Sequence, residues 1–300
     1  MYPLSYIEPV FRPPSEWKSL ILQVTNGCSW NRCTFCEMYT AEQKKFKPKK
    51  FELIEEEILS IVKSGLPVGR VFLADGDALM LPFHRLKEIL LLIKKYLPTV
   101  TRVSSYCLPR NLTNKTVEQL TELRTLGLTL VYVGCESGDD EILNIIDKGE
   151  TYASSLLALN KLKQSKIKSS VMILNGLGGP ELSKQHAISS ARLMNAAQPN
   201  YLSTLVVSFP LGEERFAKRF DELNYQAFRL LNQLELFQEM KWLLTELELS
   251  KTIFRSDHAS NYLVLKGVLG QDKAKLLNLV NEAIEQPSNV MLRQEWQRGL

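Results

Sequence analysis

Cys28, Cys33 and Cys36 share one short loop with the spacing C-x4-C-x2-C, and Phe35 stands directly before the last of them. Structural zinc takes four protein ligands, usually as two spaced pairs, and here the nearest further candidates, His84 and Cys107, lie far along the chain. Three thiolates leave one coordination position open. A four-iron four-sulfur cluster held by three cysteines has one iron free to bind something else, which turns an electron carrier into a catalytic centre. The plainer alternatives are three thiols that pack, or that bind zinc with a distant partner.

Such a loop needs a scaffold, and the surrounding pattern supplies one. Short β-branched runs alternate with longer amphipathic stretches from residue 19 to about 210, as in a parallel sheet wrapped by helices. Six strands are predicted, at 19–25, 70–74, 101–107, 129–135, 169–175 and 201–208. A helix over 82–97 places Phe83, Leu86, Leu90, Ile93 and Leu97 on one face. The next helix carries capping-box spacing in Thr116 and Gln119, with Gly127 as its terminator. The expected fold class is α/β, a partial, six-stranded parallel β/α barrel with a mainly helical C-terminal extension, because a full eight-fold barrel needs two more units. The expected domains are an irregular proline-rich arm over 1–18, a core over 19–210 and an extension over 211–300 covering the barrel mouth. Within the extension, 213–249 reads as helical, 254–263 as a polar-aromatic segment and 271–286 as a last helix.

Ligands collect where parallel strands end, so the following loops are read for chemistry. The second strand runs into Asp75, Gly76 and Asp77, where a glycine admits close backbone approach and carboxylates receive a cation such as an ammonium group. Asp-Gly is also a common turn. After the fourth strand, Glu136 and Ser137 stand where they can bond a ribose or an amino-acid moiety, or simply cap a helix. The fifth ends in a glycine-rich loop at Asn175–Pro180 that suits a flat ligand and lacks the Lys-Ser/Thr pair of a phosphate loop.

In this order the motifs resemble those of radical S-adenosylmethionine enzymes, in particular the branch of oxygen-independent coproporphyrinogen oxidases and methylthiotransferases. The resemblance covers residues 19 to about 210. It implies that Cys28, Cys33 and Cys36 hold a 4Fe-4S cluster whose open iron is chelated by S-adenosyl-L-methionine. It further implies that Phe35 is the aromatic residue of the cluster motif, that Asp75, Gly76 and Asp77 contact the methionine amino group, and that Glu136 and Ser137 belong to the cofactor site. Leu174 and Gly176 then match the motif whose backbone lies beside adenine. The chemistry implied is reductive cleavage to a 5′-deoxyadenosyl radical that abstracts hydrogen from an unidentified substrate, with electrons from a low-potential donor such as flavodoxin or ferredoxin. Two departures stand out: x4 replaces the usual x3 between the first two cysteines, and Asp75 and Asp77 replace Gly and Glu. The substrate-facing candidates are His186, His258, Asn261 and Tyr262, with Ser260 and Lys266 beside them. For both histidines an ordinary structural hydrogen bond is the alternative.

Composition narrows the classes. A chain of 300 residues, 45% hydrophobic and 23% charged, buries a core without disulfides, and five cysteines of which three cluster fit a reducing compartment. The start of the chain has no signal-peptide pattern and no run is long enough to span a bilayer, so a soluble cytoplasmic enzyme without membrane partners is expected. A net charge of +4 does not indicate nucleic acid. The Lys44–Lys50 run reads as a solvated loop, or as an attractor of an acidic electron donor or a phosphate-bearing substrate. The competing functions are a tRNA-modifying radical enzyme and a non-catalytic iron-sulfur carrier or binding protein. The former lacks a recognisable RNA-binding module and a second three-cysteine cluster.

Overall fold

The structure, a computed structural model, describes residues 4–225 and 227–298. Pro3 of the proline-rich arm lies outside them. The chain forms two compact units, one from residues up to 31, 38–134 and 157–169, the other from 32–37, 135–156 and 170 onward.

The first unit is built on parallel strands. β1 (Leu20–Gln23) is followed by a two-residue pair, β2 (Thr25–Asn26) with antiparallel β3 (Lys47–Pro48), and by helix α1 (Phe51–Ser64). Then come β4 (Arg70–Ala74), α2 (Phe83–Tyr96), β5 (Arg102–Cys107), α3 (Val117–Thr125) and β6 (Leu128–Glu136). β1 pairs with β4, β4 with β5 and β5 with β6, all parallel, with Leu20 opposite Val71 and Val71 opposite Val103. Leu20, Leu22, Val71, Phe72 and Leu73 are fully buried, as expected of strands covered on both faces. Leu86, Leu90 and Ile93 are the buried stripe of α2, and α3 begins with the predicted capping box, Thr116 Oγ1 accepting from Gln119 N–H. The arm is anchored by Glu16, fully buried and paired with Arg102 at 2.8 Å.

Helix α4 (Asp140–Ile145) lies in the second unit. Helix α5 (Tyr152–Gln164), most of which counts with the first unit, leads to β7 (Lys168–Asn175), α6 (Gly179–Ala197) and β8 (Tyr201–Val206). β7 and β8 are parallel. The six predicted strands are therefore all present. Beyond them the reading needs two corrections. The stretch 213–249 is two helices, α7 (Glu214–Glu222) and α8 (Gln233–Glu246), because Asn232 and Glu235 form a fresh capping box that restarts the helix. The polar-aromatic segment opens with a strand, β9 (Ile253–Ser256), parallel to β8 and antiparallel to β10 (Leu265–Val268). Its inward residues Phe254 and Ser256 alternate with outer ones, a period too short to stand out in four residues. Helix α9 (Leu269–Glu285) follows. A buried cluster gathers Ile142, Ile146, Leu177, Phe216, Phe220 and Phe228 in this unit, with Phe35 packed against it. No helix among the described residues is long and apolar enough to cross a membrane.

Candidate active site

In the first unit the end of β4 is folded against the Cys28 segment. A Cβ placed on Gly76 would lie 2.7 Å from Cys28 Cα and 2.8 Å from Gly27 O, so only glycine permits this approach. Asp75 and Asp77 are fully buried on either side. Asp75 Oδ2 pairs with Lys44 and accepts from Gln23 Nε2 at 3.2 Å, whereas its Oδ1 is buried with no hydrogen-bond partner. Asp77 accepts from Ser29 N–H at 2.8 Å, from the Ser29 hydroxyl, and from Asn111 Nδ2 at 2.9 Å. Burial pushes the Asp77 carboxyl above its usual range against the pull of these bonds. The solvated-loop reading of the lysine run is corrected at its first residue. Lys44 is fully buried as the partner of Asp75, and Lys49 pairs with Glu57, so the run presents fewer free charges than its sequence suggests.

In the second unit Cys33 and Cys36 are joined by a tight turn, Cys36 N–H donating to Cys33 O at 3.2 Å. Thr34 N–H donates to Ile146 O at 3.0 Å, which fastens this turn to the end of α4. Burial pushes the Cys33 thiol up to about 11, with Lys148 pulling the other way. Lys148, which the reading of the strand ends did not single out, lies beside this turn. Its ammonium lies 3.0 Å from Glu136 Oε1 and 5.9 Å from the Phe35 ring centroid, with almost no exposed surface. Burial is the largest influence and works against its charge, but Glu136, Cys33 and Cys135 together outweigh that and hold its pKa raised. Glu136 itself has φ +65°, a left-handed conformation that costs a non-glycine residue roughly 1–2 kcal/mol.

Behind Glu136, Ser137 and the end of β7 are tied by His186, which sits well inside α6 and is 1% exposed. Leu174 O can only accept, so His186 Nε2 donates to it at 2.9 Å, and Nδ1 meets the Ser137 hydroxyl at 2.8 Å. Ser137 Oγ also accepts from Asp139 N–H at 3.0 Å, so one hydroxyl links the imidazole to the start of α4. Both ring nitrogens of His186 are thus engaged internally. Gly176, at φ +89°, gives its N–H to Glu239 Oε1 at 2.7 Å, and Ser183 Oγ donates to Glu239 Oε2 at 2.6 Å. Burial raises the Glu239 pKa while His186, Ser183 and Gly176 oppose. Sequence reasoning missed Glu239, although a signal existed: an acid on the apolar face of α8, among Leu236, Met240 and Leu243.

The remaining candidates lie in the loop after β9 and, for Lys266, in β10. His258 Nδ1 is 2.9 Å from Ser260 Oγ, and burial with nearby Arg293 lowers its pKa. Asn261 Nδ2 donates to Thr204 O at 2.9 Å. The Tyr262 hydroxyl donates to Glu295 at 2.6 Å while Arg298 lies 3.8 Å from its ring centroid. Lys266 pairs with Asp257 at 3.0 Å. Each unit thus gathers its own candidates: Asp75, Gly76 and Asp77 beside Cys28, and Phe35, Glu136 and Lys148 beside Cys33. None of the five cysteines is in a disulfide, and among the described residues no three Cys, His, Asp or Glu side chains are gathered as a metal would require.

A family model described as the Radical SAM superfamily matches residues 22–194, from β1 to α6. The chain belongs to that superfamily. The match takes in the cysteine loop and the strand ends that carry Asp75, Glu136 and Gly176. Methylornithine synthase (PylB) is similar in fold, with a TM-score of 0.50, 16% identity, and coverage of 77% of this chain and 63% of that one. The cobalamin-dependent S-adenosylmethionine radical enzyme OxsB, solved with aqua-cobalamin and S-adenosylmethionine bound, has a TM-score of 0.51, 14% identity, and coverage of 94% and 38%. At these identities the likeness establishes the shared α/β fold of the partial-barrel type, and this radical SAM chain spans less than two thirds of the length of either. No curated protein matches it.

Proposed function

We propose that this radical SAM enzyme carries a 4Fe-4S cluster on Cys28, Cys33 and Cys36 and cleaves S-adenosylmethionine to take a hydrogen atom from its substrate. The observation that carries the reading is the three-thiol loop, C-x4-C-x2-C, whose cysteines are in no disulfide and have no fourth thiol near in sequence. The donor set fits the group: soft thiolates, a glycine seat for Cys28, and an unpartnered buried carboxylate oxygen on Asp75. When bound, the cluster supplies the electron that splits the sulfonium into methionine and a 5′-deoxyadenosyl radical.

The chain's own groups then bind and orient. Asp75 Oδ1 is assigned to the methionine ammonium, an acceptor whose desolvation is otherwise uncompensated. Gly76 lets the backbone approach. Glu136 and Ser137 serve the cofactor's polar edge, with Lys148 holding Glu136 in place by their ion pair and His186 fixing Ser137 and the Leu174 carbonyl. Glu239 holds the Gly176 amide, so the backbone at Leu174 and Gly176 keeps one conformation beside the adenine. Phe35 shields the cysteine turn. His258, Asn261 and Tyr262, in the 211–300 extension, are the substrate-facing set, and a low-potential flavodoxin- or ferredoxin-type protein is the electron donor.

The test is anaerobic reconstitution followed by measurement of 5′-deoxyadenosine under strong reduction. Wild type is expected to form it, and Cys33→Ala to lose both iron and cleavage. Equal iron and equal cleavage in the two proteins would show the site to be wrong.

A further inference from the structure

We infer that Asp77 is a positioning residue that braces the Cys28 arm of the widened cysteine loop, a role separate from contact with S-adenosylmethionine and resting on the cluster reading above. The extra residue between Cys28 and Cys33 gives the arm added backbone freedom, which ordering must remove. Ser29 is the first residue after Cys28, and one carboxylate holds both its polar groups: Asp77 Oδ1 takes the N–H at 2.8 Å and Oδ2 takes the hydroxyl. Oδ2 is further fixed by Asn111 Nδ2 at 2.9 Å, and Asn111 is itself held, its Oδ1 accepting from Leu108 N–H at 2.7 Å. The brace thus runs from the end of β5 through Asp77 to the cysteine loop. Gly76 adds a steric seat, since Cys28 Cα occupies the space in which any side chain would stand. Both Asp77 oxygens are engaged, whereas Asp75 keeps one oxygen without a partner. The two acids of one turn therefore divide the work.

The experiment compares wild type, Asp77→Ala, Ser29→Ala and the double variant in two measurements. One is amide hydrogen exchange of the Cys28 to Trp30 segment in the iron-free protein. The other is the rate at which reconstituted protein, without S-adenosylmethionine, yields iron to a ferrous chelator. Loss of charge-assisted hydrogen bonds to Asp77 is expected to speed both by about tenfold or more, Ser29→Ala by a smaller factor, and the double variant no more than Asp77→Ala. Unchanged exchange and iron release in Asp77→Ala overturn the brace, most directly if binding of S-adenosylmethionine is what weakens. Should Asp77→Ala not fold, unchanged exchange and iron release in Ser29→Ala overturn it. A wild type that takes up no iron defeats the cluster reading, and the exchange comparison still decides the brace.

Discussion

The Lys148 ammonium is held out of water 3.0 Å from Glu136. Two charges in such a place are stable only together, because removing one leaves the other desolvated and unpaired. Lys148→Ala is therefore expected to cost about 3–5 kcal/mol in urea denaturation of the iron-free protein, and to cost much less in a Glu136→Gln background. Glu239 differs in having neutral partners. Its pKa is raised in the fold by burial, so the protonated form is favoured there and its contribution to stability is lost as pH rises from the usual carboxylate range toward the raised value. Glu239→Gln should therefore gain stability relative to wild type as the pH of urea melts increases above the usual carboxylate range. A difference that does not grow with pH would overturn the raised pKa. These two acids were unequally legible. Glu136 lies in a local motif, but Glu239 acquires its meaning from Gly176 and Ser183, neither of them near it in sequence.

Secondary elements were the most readable level, because their causes are local. Residues 70–74 read as a strand and form one, and Thr116 with Gln119 announces the first turn of α3 and closes it as a reciprocal pair. Thr116→Ala removes that acceptor and is expected to lower stability by about 1 kcal/mol, seen as a shift of the urea midpoint at constant slope. Where the element is short the reading fails. β9 has four residues, two of them buried, and its strand character comes from pairing with β8 and β10 rather than from its composition. The break between α7 and α8 was written in the sequence as Asn232 and Glu235, a capping box inside a stretch whose apolar markers suggested continuity.

At the scale of the molecule, a ligand that binds only the native state stabilises it in proportion to its affinity, and thiolate ligands couple binding to ordering of the loop that bears them. Cluster loading is therefore expected to raise the thermal midpoint of wild type, chelation to return it, and Cys33→Ala to show no such difference in anaerobic calorimetry. A midpoint indifferent to loading would mean that the loop carries no cluster. What the sequence by itself determined is the superfamily and the alternation of its elements: thiol spacing, strand periodicity and helix caps are set by neighbours within a few positions, so linear order exposes them. Tertiary structure alone decided which polar groups are partnered. Lys44 became the buried mate of Asp75 rather than a solvated charge, Asp77 took hold of Ser29, and both His186 nitrogens were engaged. Those outcomes depend on desolvation and on distances between residues tens of positions apart, quantities that no local spacing contains.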